Sequence, residues 1–95
     1  MTIDRKEFQI LWCVEEGMRS PQSIFSFVDP DLDLSMRDIE RILEKLKENG
    51  LVKIKMAWDP EYKEDHWNVE TTEKAKETYI QKAASYIKWV PLQFI

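Results

Sequence analysis

Residues 34–54, LSMRDIERILEKLKENGLVKI, change their hydrophobic period at a single point. Before it, Ile39, Ile42, Leu43 and Leu46 recur at three- and four-residue steps, the spacing of one face of an α-helix. After it, Val52, Ile54, Met56 and Trp58 alternate with Lys53, Lys55 and Ala57, the spacing of a strand with one covered face. Asn49-Gly50 stands between, and glycine there supplies the left-handed residue with which many helices stop. A helical stripe and a strand face that both need cover, so close in the chain, predict an α+β fold.

The remaining punctuation orders the other elements. Asp4-Arg5-Lys6-Glu7 has the form of a capping box, so a first helix starts at about Asp4, shows Phe8, Ile10, Leu11, Trp12 and Val14, and ends at Gly17. Ser20-Pro21 opens a short second helix with Ile24, Phe25 and Val28, and Asp29-Pro30 closes it. DLDL at 31–34 reads as a loop or a very short strand. Ser35-Met36-Arg37-Asp38 repeats the capping box and starts the third helix, 35–49. A turn-forming DPEYKED at 59–65 and an alternating HWNVE at 66–70 make the two runs a hairpin with Trp58 and Trp67 inward and packed on each other. Thr71 or Thr72 then caps a last helix, about Thr72 to Trp89, with Pro91 beyond its end.

Ninety-five residues with 43% hydrophobic content make one domain, 1–95, able to bury a core unaided. Cys13, the only cysteine, excludes an internal disulfide and is expected as a buried apolar residue in ILWCV. That run is too short for a signal-peptide core or a membrane span, so no membrane association and a cytoplasmic location are expected. A net charge of −4 argues against indiscriminate DNA affinity, though one face can still be basic.

The order of elements, with LEKLKENGLVKI at its centre and WNVETTEKAKE after the hairpin, resembles the winged helix-turn-helix domains of MarR-like and PadR-like transcriptional regulators. The resemblance covers most of the chain. It implies a three-helix core, a recognition helix at Ser35–Asn49, a wing at Leu51–Glu70 and a C-terminal helix, with the segment 71–95 available for dimerisation. It further implies a homodimeric regulator that binds double-stranded DNA. Two departures are plain: residues 29–34 are longer and more acidic than a tight helix-turn-helix joint, and the wing tip carries Asp59, Glu61, Glu64 and Asp65 against Lys63.

The expected DNA contacts are Ser35, Arg37, Arg41, Lys45, Lys47, Lys53 and Lys55. Arg37 and Arg41 would meet bases or phosphates, and the lysines would hold the flanking backbone. Against this, Arg37–Glu40, Arg41–Glu44 and Lys45–Glu48 can pair along the helix at ~0.2–0.5 kcal/mol each. On the last helix Tyr79, Ala83, Tyr86 and Val90 are expected to point away from the domain and form a dimer face, unless the first helix covers them. A rival reading is a winged-helix module that binds another protein and no DNA. Catalysis is not expected: His66, the single histidine, has no ligand-spaced companion, and there is no phosphate loop or activated nucleophile, so no metal or cofactor is implied.

Overall fold

The computed structural model describes residues 3–80, 86 and 88–92. It contains α1 (Arg5–Glu15), α2 (Pro21–Phe27), α3 (Met36–Glu48), β1 (Val52–Asp59), β2 (Glu64–Thr71) and α4 (Glu73–Ala75), which runs on as a π-helical turn over Lys76–Ile80.

The start signals are all used. Asp4 and Glu7 cap α1 reciprocally, the Asp4 carboxylate accepting from the Glu7 N–H at 2.8 Å and the Glu7 carboxylate from the Asp4 N–H at 3.1 Å. Ser35 and Asp38 do the same for α3 at 3.1 and 3.0 Å. The stops are equally regular. Gly50, at φ 74°, donates to the Lys47 carbonyl, and Leu51 donates to that of Leu46, the paired bonds of a Schellman ending. Gly17, at φ 106°, closes α1 in the same manner.

Phe8, Ile10, Leu11, Cys13 and Val14 of α1 are buried at the centre. Ile24 of α2, Ile39, Leu43 and Leu46 of α3, and Val52 and Val69 of the hairpin close around them. Each such aliphatic or aromatic side chain contributes ~1.5–3 kcal/mol by leaving water. The strands pair antiparallel from Val52↔Thr71 to Asp59↔Glu64. The four residues 60–63 connect them, with Lys63 at φ 53° and the Asp59 carboxylate accepting from the Glu61 N–H at 2.9 Å.

Three features refine or correct the sequence reading. Residues 31–34 form no strand; Pro30–Leu32 is a 3₁₀ turn ended by Asp33 in the left-handed region, because proline starts the turn and Arg5 holds Asp31. A strand-like contact occurs instead before α2, where the Val69 N–H donates to the Arg19 carbonyl at 2.8 Å. Among the described residues the last helix is α-helical over Glu73–Ala75, and the wider turn after it brings Tyr79 into the core with Ala75. The expectation for Ala83 lies outside the described residues.

Buried polar groups tie the helices together. Asp29, 3% exposed, accepts from the Gln9 amide at 2.7 Å, from Arg5 at 3.0 Å and from the Leu92 N–H at 2.8 Å, while its own N–H donates to Gln9. Burial alone would raise the Asp29 carboxyl; the bonds from Leu92, Gln9 and Arg5 outweigh it and hold the group below the usual carboxylate range. Cys13 is buried as expected, and burial pushes its thiol up to about 12.

Candidate functional site

The charged side of α3 and the hairpin that follows it form the surface on which the sequence reading concentrates. Their relative position is fixed at the turn between them. The Thr72 hydroxyl donates to the Gly50 carbonyl at 2.7 Å, the Thr72 N–H to that of Leu51 at 3.1 Å, and the Lys74 ammonium to that of Asn49 at 2.9 Å. Three successive carbonyls at the α3–β1 junction are thereby satisfied by the start of α4.

Of the seven expected DNA contacts, three have structural duties. Ser35 uses both its hydroxyl and its N–H in the cap with Asp38. Those bonds, the backbone one first, hold the Asp38 carboxyl below its usual range, with Arg41 adding to the effect. Arg41 pairs with Asp38, one turn toward the N-terminus, and not with Glu44. Lys45 reaches off its helix to α1, where its ammonium lies 2.9 Å from the Glu7 carboxylate, and not to Glu48.

The Glu7 contact corrects the expectation for Lys45 most firmly. The Glu7 side chain is 3% exposed, and the hydrogen bond and charge of that carboxylate raise the Lys45 ammonium above the ordinary lysine range. Turning Lys45 toward a phosphate would leave a buried carboxylate without its counter-charge, a change that buried pairs resist. Lys45, 57% exposed, thus serves the fold through its pair with Glu7.

Arg37, Lys47, Lys53 and Lys55 are different. All four are exposed, and among the described residues none has an ion-pair partner. Arg37 and Lys47 stand near opposite ends of α3, ~15 Å apart along its axis. Lys53 and Lys55 lie on the outward face of β1, with Glu70 and Asn68 as their cross-strand neighbours. Glu40, Glu44 and Glu48 are exposed on the same helix. The surface is therefore mixed in sign.

The expected dimer face is largely interior to one chain. Tyr79 and Val90 keep 5% and 4% of their surface, and Tyr86 stacks on Phe8 with ring centres 4.9 Å apart. Phe8 of α1 lies against Tyr86, and Tyr86 against Tyr79, so these described side chains pack within the domain. Burial, with Tyr86 and Glu7 nearby, also raises the Tyr79 hydroxyl above its usual range.

Trp67 packs partly buried against the core as expected, but Trp58 departs from expectation. Met56 faces Trp67, while Trp58 faces Asp65 and is 61% exposed. Among the described residues, the helices cover the base of the hairpin and leave Met56 and Trp58 exposed. Alternation predicted the face correctly, but no periodicity states how far the core extends under a strand.

Sequence reasoning did not find the Glu7–Lys45 or Asp29–Gln9 contacts. A signal existed for one of them: Gln9 stands between Phe8 and Ile10 in an otherwise apolar run, and polar residues at core-facing positions need partners. Among the described residues there is no group of three or more His, Cys, Asp or Glu able to hold a metal ion, and no helix long and apolar enough to cross a membrane. No protein-family model matches the chain, and no curated protein matches it.

Proposed function

We propose that this protein is a DNA-binding regulator of winged-helix type that contacts duplex DNA through Arg37, Lys47, Lys53 and Lys55. The observation that carries the reading is the absence of carboxylate partners for these four exposed cations among the described residues. They sit on the exposed side of α3 and on the outward face of the strand that follows it. Releasing such side chains to phosphate breaks no internal pair. The α+β layout, with three helices before an antiparallel hairpin, is compatible with a winged helix, and the Val69–Arg19 bond adds a sheet contact ahead of α2. Function rests on the surface chemistry, since the fold alone serves many partners.

The expected test is duplex binding measured over a range of salt. Four phosphate contacts give a log–log salt slope of roughly −3 to −4. The Arg37→Ala/Lys53→Ala variant should retain its fold and lose about two units of that slope, whereas Lys45→Ala should lower thermal stability. Salt-independent binding, no binding at low salt, or an unchanged slope in the double variant would sink the reading.

A second reading, a winged-helix module that binds a protein and no DNA, is favoured by one observation. The outer hairpin is acidic at Asp59, Glu61, Glu64 and Asp65, and its Met56, Trp58 and Tyr62 are 60%, 61% and 69% exposed.

A further inference from the structure

The outer edge of β2 is an unfinished sheet. Val69 sends its N–H away from β1 to the Arg19 carbonyl, so Ile54↔Val69 is a pair that does not exchange backbone bonds. With a two-residue period, Met56↔Trp67 and Trp58↔Asp65 are pairs of the same kind. The N–H and C=O of Trp67 and Asp65 consequently point to the same outer edge as those of Val69. Among the described residues, only Val69 meets a neighbouring chain segment there, and the chain then leaves the edge to enter α2.

What lies beside that open edge is a groove. Two adjoining hollows of about 370 and 180 Å³ share Gln22, Glu64 and His66, with the first turn of α2 as their far wall. Glu40, Asp59, Glu64 and Asp65 line them, with Tyr62 and Trp67 as the aromatic surface, and no Lys or Arg does so. β1, by contrast, carries Lys53 and Lys55.

We infer that the β2 edge from Asp65 to Trp67 docks an extended, lysine- or arginine-rich segment of a partner protein by strand addition. Main-chain bonds to Asp65 and Trp67 would supply the affinity, and the four carboxylates would select cationic side chains on it. Charge decides the occupant. A two-fold contact with a second copy would set these carboxylates against themselves, and a nucleic acid would bring phosphate to them. The groove takes Glu40 from α3 but none of the four free cations, so this inference does not depend on DNA binding.

The test uses the full ¹⁵N-labelled chain and a synthetic peptide of about eight residues alternating lysine and valine. Two controls accompany it: a glutamate–valine peptide, and the lysine–valine peptide N-methylated at every second residue. The lysine–valine peptide is expected to shift the Asp65 and Trp67 amides and slow their exchange with solvent. Both controls should bind at least about tenfold more weakly, and Glu64→Gln/Asp65→Asn should cost the first peptide roughly tenfold. Both residues are exposed, so this variant keeps its fold, which an unchanged amide spectrum elsewhere would verify. The inference is overturned by any of five results. These are no binding at millimolar peptide, shifts confined to other residues, equal binding of either control, the same shifts on raising protein concentration alone, or the same shifts with duplex DNA.

Discussion

Two stretches of one strand face show what holds this molecule together and what is left over. Val52 and Val69, at the base of the hairpin, are buried against the helices, while Met56 and Trp58, on the same face of β1, are 60% and 61% exposed. The side chains are equally apolar and equally periodic. What differs is the layer beneath. Where α1 and α3 lie under the sheet, apolar residues make the core; past their reach, the same pattern leaves surface for a partner.

If that contrast is right, truncations at the two ends should have very different costs. Phe8→Ala, which removes a fully buried ring in contact with Trp12, Tyr86 and Trp89, should destabilise by ~3–5 kcal/mol in denaturant unfolding. Asp29→Ala should cost roughly 3 kcal/mol by stranding the Gln9 amide, the Leu92 N–H and Arg5. The Asp29 contribution also has a defined pH window. Because its folded-state pKa is lowered, the stabilisation is complete above the ordinary carboxyl value of 3.8 and is lost as pH falls through the depressed one. The stability gap between wild type and Asp29→Asn should therefore narrow below about pH 4. A gap constant with pH would contradict the role given to the carboxylate.

Smaller effects sharpen the boundary itself. Gly50→Ala, at φ 74° with the nearest side-chain atom of Lys74 3.8 Å from the added carbon, meets a conformational cost of about 1 kcal/mol and no clash. Trp58→Ala should change stability by no more than about 0.5 kcal/mol. A cost for Trp58 approaching that of Phe8 would show that the outer hairpin belongs to the core after all.

Much of this was legible in the residues. Capping boxes at Asp4 and Ser35 and glycines at 17 and 50 are local chemistry, and each element they delimit forms where the punctuation places it. The burial of Ile39, Leu43 and Leu46 follows from helical spacing alone. The surface was harder because its state depends on neighbours remote in sequence. Lys45 looks free until Glu7 is brought under it, and Tyr79 looks like an interface until the fold buries it. Arg41 was expected to pair on its own helix and does, but with Asp38, which the cap also uses. Charge rows on a helix wheel state which side chains share a face. They do not state which of them the fold has already engaged.

One amide chemical-shift map with a short DNA duplex, at low and then moderate salt, tests the central claim most directly. The account predicts salt-sensitive shifts at Arg37, Lys47, Lys53 and Lys55, with Asp65 and Trp67 unmoved. Shifts centred on the acidic groove, or none at those four cations at low salt, would contradict it.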